Sequence, residues 1–230
     1  MLCFAYSEDS NLTGFFQFGK SIEEFRDAYV QPFFDYLDEK LDDGDFVLSV
    51  LIRFKHTCEW FRREELHQLF HSQTRAGEAN LAWKMYEYLY GQGIEFSIEP
   101  ASASGKADMV SAQNSSHPLI ADAKVFLPES GRGVGYLAKG LHQLYRYTCD
   151  FNKPIGYMVV FSLTDKRLAF APEFRPEGIP RWLHNDKTLF VIVIDIFSYP
   201  EPASHRPVPQ TLTIKTDDLL SEDSRADSRG

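Results

Sequence analysis

The sequence predicts an α/β fold with a mixed central sheet flanked by helices, and a helical extension at the N-terminus. Apolar residues recur at helical spacing as far as Tyr90, and the pattern then changes to short runs rich in strand-forming residues. A later helical segment is followed by GYMVVFS and LFVIVIDIF, apolar runs with little alternation, which is typical of strands buried on both faces. This order of elements favours one α/β core.

The N-terminal 75 residues are predicted to form helices. Ser21 and Glu24 have the spacing of a capping box, and apolar residues follow at helical intervals to Leu37. We expect a turn at Asp43-Gly44-Asp45. The next run, FVLSVLIRFKH, suits either a helix or a buried strand, and a helix is favoured because Asp45 could cap it. Another helix is expected from Thr57 to His71.

The following region supplies the strands. A helix is predicted over Gly77–Tyr90, where Leu and Met recur at four-residue steps before GQG ends it. Strands are expected in IEFSIEP, ADMVSA and PLIADAKVF, with NSSHP as a hairpin connection between the last two. The loop GRGVG then leads to a helix over about Leu137–Cys149. In the C-terminal tail, TLTIKT could add an edge strand, and SEDSRADSRG is expected to be disordered.

These elements define three predicted regions. Residues 1–75 form a helical accessory region, residues 76–198 the core domain, and residues 199–230 a C-terminal extension. The longest apolar run, LFVIVI, is too short to cross a bilayer, so no membrane association is expected. The three cysteines lie far apart and lack metal-ligand spacing, which favours a reducing, cytoplasmic location without disulfides.

The charge distribution bears on the class of partner. A net charge of -9 argues against nucleic acid, because binding to a phosphate backbone normally requires basic side chains. However, residues 1–50 hold 11 acidic and 3 basic side chains, whereas residues 51–215 hold 17 acidic and 19 basic ones. The acidity therefore belongs to the ends, and the middle could face a phosphate backbone. The acidic N-terminal region better suits a homodimer contact or a partner protein.

Three charged residues lie at the ends of two neighbouring predicted strands. Asp108 begins one strand, and Asp122 and Lys124 interrupt the apolar run of the next. Residues two apart on a strand project to the same face, and a hairpin at NSSHP would bring Asp108 to the same end. Close carboxylates usually bind a hard divalent cation, and a neighbouring lysine can stabilise charge on a phosphate oxygen. These parts together predict phosphodiester hydrolysis.

This pattern resembles the PD-(D/E)xK nuclease superfamily, which has the restriction-endonuclease-like fold. Asp108 and Asp122-Ala123-Lys124 match its motif, although Ala107 stands at the position of the usual proline. The resemblance covers about residues 77–197. It implies Mg²⁺ or Mn²⁺ as cofactor, with the backbone carbonyl of Ala123 as a further ligand beside the carboxylates. Lys124 would position or polarise the attacking water.

Two helical features extend the resemblance. Many members carry a glutamate on the helix before the first strand, and Glu78 lies on the apolar face of the predicted Gly77–Tyr90 helix. It would be a third carboxylate ligand, although it could also be a first-turn acid that offsets the helix dipole. Gln143 and Tyr147 resemble the Q-x-x-x-Y element of the RecB-like branch. Because they share a helix face, both could reach the site or an entering strand.

We therefore expect a nuclease that hydrolyses phosphodiester bonds of nucleic acid, DNA in the first instance and RNA as the alternative. Arg132, Lys139 and Arg146 flank the site in sequence and are the candidates for phosphate contact. A second hypothesis is a binding or regulatory subunit that keeps the nuclease fold without turnover, in a nucleic-acid-processing or defence complex. A third is a structural interaction protein whose acidic N-terminal helix docks on a basic surface.

Other candidate groups have simpler interpretations. Glu95 and Glu99 are rival carboxylates, but outward positions on an alternating strand are favoured for both. The pair His67 and His71 has zinc-like spacing without a third ligand, so surface histidines are favoured. The sequence Trp60-Phe61-Arg62-Arg63 mixes aromatic and basic groups as a single-strand platform does, yet packing of these aromatics on the core is favoured.

Overall fold

A computed structural model of the protein describes part of the chain: residues 25–72, 76–98, 101–102, 105–106, 109–111, 119–171, 179–199, 201, 208–215 and 218–219. By its contacts the chain divides into two compact units, residues 1–43 and 44–230. The described helices are α1 (Gln31–Phe61), α2 (Arg63–Ser72), α3 (Gly77–Gly91) and α4 (Val134–Asp150), with a π-helical segment (Arg26–Val30) before α1. None of the helices in these ranges is long and apolar enough to span a membrane.

The first helix does not break where a turn was expected. Helix α1 continues through Asp43-Gly44-Asp45, so the predicted turn is wrong. The helical interpretation of FVLSVLIRFKH is confirmed, because Val47, Val50, Leu51 and Phe54 form one buried stripe. Burial of this stripe outweighs the roughly 1 kcal/mol that a glycine costs inside a helix.

The strands form a mixed sheet, as the sequence predicted. The described strands are β1 (Phe96–Ile98), β2 (Ala101–Ser102), β3 (Gly105–Lys106), β4 (Met109–Ser111), β5 (Ile120–Phe126), β6 (Ile155–Ser162), β7 (Arg167–Ala171), β8 (Arg181–His184), β9 (Lys187–Asp195) and β10 (Thr211–Lys215). Six of them pair in the order β1-β4-β5-β6-β9-β8. Strands β5, β6 and β9 are parallel, whereas β1-β4, β4-β5 and β8-β9 are antiparallel. The protein is therefore an α/β protein with a six-stranded mixed sheet flanked by helices.

Helices cover both faces of the central strands, which explains their unbroken apolar sequences. On β5, Ala121, Ala123 and Val125 belong to the core cluster that also contains the buried residues of α1, α2 and α3. Ile120 and Phe126 belong to the cluster on the other face, with the buried residues of α4. Alternation along the strand therefore places residues 122 and 124 on the α4 face.

The helices before α3 are part of the same core. Leu66 and Phe70 of α2 are fully buried together with Leu81 of α3 and Val159 of β6. The larger compact unit accordingly starts at Gly44, whereas the sequence placed the domain boundary after residue 75. The buried apolar residues of α1 and α2 belong to the same cluster as those of the sheet, so these buried segments form one layer of the core.

Two strands near the C-terminal side were not predicted. Strand β8 pairs with β9 through a two-residue connection at Asn185-Asp186, where Asn185 has a φ of 54°, a conformation that asparagine tolerates well. Strand β7 pairs in parallel with β10, the strand predicted in TLTIKT, as a separate two-stranded sheet. The predicted connection NSSHP and the tail SEDSRADSRG lie outside the described residues.

Candidate active site on the fifth strand

Asp122 and Lys124 form a buried ion pair on the α4 face of β5. Lys124 Nζ lies 2.6 Å from Asp122 Oδ2. Only 1% of Asp122 and 9% of Lys124 are exposed. Charged side chains are rarely buried in this way unless they are paired, because removing them from water costs several kcal/mol per ion. A charge pair in the middle of an apolar strand is thus costly for the fold and marks a candidate functional site.

Glu78 lies at the edge of the same strand. It is in the first turn of α3, and its side chain is about one-quarter exposed. The backbone N–H of Val125 donates a hydrogen bond to Glu78 Oε2 at 3.0 Å. The described part of β4 pairs with β5 only as far as Ala121. The N–H of Val125 lies beyond this pairing, and Glu78 accepts its hydrogen bond instead.

Tyr136 connects Glu78 with the helix on the opposite face. Its hydroxyl donates a hydrogen bond to Glu78 Oε1 at 2.5 Å. Burial raises the pKa of Tyr136, and the bond to Glu78 and the negative charges of Glu78 and Asp122 raise it further, against a smaller opposing effect of Arg132. Both carboxylates therefore act on one phenol, which stays a neutral hydrogen-bond donor at physiological pH.

Sequence reasoning missed Tyr136, although a signal was present. Tyr136, Gly140, Gln143 and Tyr147 follow each other at steps of four, three and four residues, which is the spacing of one helix face. The pair Gln143 and Tyr147 was identified through a resemblance, and continuing its helical spacing toward the N-terminus would have reached the other two.

Gln143 and Tyr147 are hydrogen bonded to each other but differ in exposure. The side-chain amide of Gln143 donates to the hydroxyl of Tyr147. Tyr147 is fully buried in the cluster under α4, whereas Gln143 is half-buried. The ring of Tyr147 is part of the core, so this residue would act on the site through Gln143. Its hydroxyl holds the amide of Gln143.

The three basic candidates also differ in their surroundings. Arg132 is half-buried, with its Nε 3.9 Å from Glu78 Oε2 and its guanidinium 5.7 Å from the ring centre of Phe70. Lys139 and Arg146 are exposed on α4, seven residues apart and hence on one side of the helix. Arg132 belongs to the cluster around Glu78, whereas Lys139 and Arg146 face solvent.

The predicted first aspartate of the motif cannot be placed. Asp108 lies outside the described residues. Met109, which follows it in sequence, pairs with Ala121, which precedes Asp122. The side chain of Ala123 is buried on the opposite face of β5 from the ion pair, while its backbone lies between Asp122 and Lys124.

The described residues supply two carboxylates of a potential metal site, Glu78 and Asp122. Within the described ranges, no group of three or more His, Cys, Asp or Glu side chains could hold a metal ion. The donors present are nevertheless hard oxygens, which suit Mg²⁺ or Mn²⁺. Each carboxylate oxygen has two lone pairs, so the bonds from Val125 and Tyr136 leave Glu78 with acceptor capacity for a cation.

The rival groups lie elsewhere. Glu95 is exposed, as the alternating pattern indicated, and Glu99 lies outside the described residues. The rings of His67 and His71 are 4.5 Å apart, and burial, followed by the neighbouring His71, lowers the pKa of His67.

The aromatic pair at the end of α1 contradicts the favoured interpretation. Trp60 is 74% exposed and Phe61 is 77% exposed, so neither packs on the core. The ring of Trp60 stacks on His56 at 5.3 Å. The buried stripe of α1 ends with Cys58, and both aromatics follow it on the solvent side of the helix.

Comparison with known protein families, curated proteins and solved structures gave no match.

Proposed function

We propose that this protein is a metal-dependent nuclease of the PD-(D/E)xK type with a restriction-endonuclease-like fold. The observation that carries the proposal is the buried ion pair between Asp122 and Lys124 within a β5 strand of otherwise apolar residues. A costly charge pair at this place is explained by chemistry better than by stability, since apolar residues of similar size would be cheaper there. The order of α3, β4, β5 and α4 around it also agrees with the resemblance.

The metal site would use the carboxylates of Glu78 and Asp122. Asp108 and the backbone carbonyl of Ala123 would complete the ligand set, as the resemblance implies. A bound Mg²⁺ or Mn²⁺ would neutralise charge on the phosphate and lower the pKa of a water molecule. Tyr136 of α4 donates to Glu78, and Lys124, the partner of Asp122, lies against Gly140 of the same helix, so both carboxylates lie toward α4.

Lys124 would act on the phosphate or on the attacking water. Its ammonium lies 2.6 Å from Asp122 Oδ2 and therefore beside one of the proposed metal ligands. Because the group is almost excluded from solvent, its charge is weakly screened and would strongly stabilise negative charge that develops on a phosphate oxygen.

The outer face of α4 would contact the substrate. Lys139 and Arg146 are exposed on one side of this helix and would neutralise backbone phosphates. Gln143 lies between them in sequence and is half-buried, and its side-chain amide donates a hydrogen bond to Tyr147. DNA is proposed as the substrate before RNA, and the acidic N-terminal region as a contact for a second copy or a partner protein.

Cleavage assays test the proposal. The purified protein is incubated with single-stranded and duplex DNA and RNA, with Mg²⁺, with Mn²⁺ and with a chelator. We expect metal-dependent cleavage of at least one substrate, abolished by Asp122→Asn and by Lys124→Met. The matched control replaces both members of the surface pair Lys84–Glu87 by alanine, which should leave cleavage unchanged. Cleavage that survives both site substitutions would refute the assignment.

A second candidate function is a nuclease-fold binding or regulatory subunit without turnover. The observation that favours it is the direct contact of Lys124 with Asp122, which balances the carboxylate charge without a metal ion. Binding of nucleic acid without cleavage in every metal would support this function and exclude the nuclease.

A further inference from the structure

Gly140 lies against the side chain of Lys124. A Cβ atom placed on Gly140 would lie 2.8 Å from Lys124 Cε, 3.2 Å from Cγ and 3.3 Å from Cδ. Carbon atoms in favourable contact are about 3.5–4.0 Å apart. Three successive positions along the lysine stem therefore occupy the volume that any other residue at position 140 would need.

A glycine in this position is unfavourable for the helix itself. Gly140 is buried in the interior of α4, where glycine destabilises a helix relative to alanine. Gly135 of the same helix has no heavy atom within 4 Å of an added Cβ. Gly135 is exposed in the first turn of α4, and only the Cβ of position 140 would compete with Lys124.

We propose that Gly140 is a positioning residue that keeps the Lys124 ammonium on Asp122. The stem of Lys124 runs over the bare backbone of α4, and this path lets Nζ reach Asp122 Oδ2 at 2.6 Å. A side chain at position 140 forces the stem onto another path and moves the ammonium away from the carboxylate. The consequence for catalysis rests on the proposed nuclease function, whereas the consequence for the position of Lys124 does not.

The flexibility of lysine decides what a substitution does. Lys124 can rotate its stem away from an added methyl group, so Gly140→Ala is expected to fold. Lysine side chains keep their charged end in water where they can, so we expect the displaced ammonium to move from its buried position toward solvent. We therefore expect Lys124 to be displaced and to become more accessible to reagents in solution, while the protein remains folded.

The test compares Gly140→Ala with Gly135→Ala. Cleavage is measured on single-stranded and duplex DNA and RNA with Mg²⁺ and Mn²⁺. Lysine accessibility is measured by brief acetylation followed by mass spectrometry. Lys187 is the internal reference, because 6% of it is exposed against 9% of Lys124. A general loosening of the protein would raise the acetylation of both lysines, whereas displacement of Lys124 raises only its own.

We expect Gly140→Ala to lose about a hundredfold in cleavage rate, the cost of a small misplacement of a catalytic group. Lys124 should become acetylated faster relative to Lys187, and Gly135→Ala should behave as wild type in both measurements. Unchanged protection of Lys124 in Gly140→Ala overturns the proposal, whatever the cleavage result. Because labelling does not depend on turnover, a wild-type protein without nuclease activity leaves this test intact.

A double variant covers the case in which Gly140→Ala does not fold. Lys124→Ala removes all three atoms that the new Cβ would approach. If the contact with Lys124 causes the defect, Gly140→Ala/Lys124→Ala should fold and melt close to Lys124→Ala alone. If the double variant is as unfolded as Gly140→Ala, the contact is not the cause and the proposal is wrong.

Discussion

The hydroxyl of Tyr136 donates a hydrogen bond to the carboxylate of Glu78 and so joins two helices that pack on opposite faces of the sheet. The backbone N–H of Val125 donates to the other oxygen of the same carboxylate. The rotamer of Glu78 is therefore fixed from two directions. Hydrogen bonds of this kind commonly orient metal ligands and are important for metal affinity.

Tyr136→Phe should weaken metal binding while preserving the fold. The substitution removes the hydroxyl that holds Glu78 Oε1, and loss of such an orienting partner typically lowers metal affinity or activity by about 10–100-fold. Stability should fall by about 1.5 kcal/mol, the lower range for a hydrogen bond to a charged group, because Glu78 is partly exposed. Calorimetric titration with Mn²⁺ and thermal melting measure the two effects.

The matched control for this change is Tyr145→Phe. Tyr145 is on the same helix. Its hydroxyl accepts a hydrogen bond of 2.8 Å from the side-chain amide of Asn185, not from a group of the proposed site. This variant should bind Mn²⁺ as wild type does. Equal losses in the two variants would mean that α4 responds to any removed hydroxyl and that Tyr136 has no particular role.

Lys124→Met should destabilise the protein more than the joint replacement Asp122→Asn/Lys124→Met. The single change keeps the volume of the side chain but leaves the buried Asp122 without this cation, which costs about 3–5 kcal/mol. The double change removes both charges and should recover much of that loss. Urea unfolding at pH 7 of the wild type, Asp122→Asn, Lys124→Met and the double variant gives the complete double-mutant cycle.

The sequence predicted the parts of the site that depend on local pattern. Asp122 and Lys124 interrupt an apolar run, and period-two alternation places them on one face of β5, as the structure has them. Glu78 was identified because the resemblance implies a glutamate on this helix, and the apolar stripe of the helix placed it on the inward face. Tyr136 and Gly140 share the helix face of Gln143 and Tyr147, but their roles come from contacts with Glu78 and Lys124, which are distant in sequence.

The failures have a similar origin. The turn expected at Asp43-Gly44-Asp45 is absent because the long helix α1 continues through it. Strand β7 was missed because its partner β10 is distant in sequence, and pairing between distant segments leaves no local pattern. Trp60 and Phe61 were expected on the core as part of the apolar side of an amphipathic helix, yet they follow the end of the buried stripe.

Cys58 should remain unreactive in the folded protein. It is fully buried in the core, and burial raises its pKa to about 12. Cys149 is exposed. In a Cys3→Ser background, a thiol reagent at pH 8 should modify Cys149 within minutes and Cys58 only after denaturation. Rapid modification of Cys58 without denaturant would contradict the packing of α1 on the sheet.

The same pKa shift predicts a stability change in alkali. Between the ordinary pKa of the thiol near 9 and the folded-state value near 12, the folded protein holds a proton that the unfolded chain has lost. Stability should therefore fall with rising pH in this window, by about 1.4 kcal/mol per pH unit from this group. Below pH 9 the group contributes no slope. Cys58→Ala should remove this part of the slope, and an unchanged slope would disprove the assignment.

Lys139 and Arg146 should determine how strongly nucleic-acid binding depends on salt. Each phosphate contact contributes about 0.9 to the slope of log affinity against log salt for duplex DNA. Replacing both residues by alanine should therefore lower the magnitude of the slope by about two, and weaken binding about equally for unrelated sequences. The measurement is fluorescence anisotropy of a labelled duplex in the Asp122→Asn background, which prevents cleavage during titration.

The control is Lys215→Ala, which replaces an exposed lysine on β10 and should leave the slope unchanged. If the double variant keeps the wild-type slope while Lys215→Ala lowers it, the nucleic acid binds along β10 and does not contact the outer face of α4.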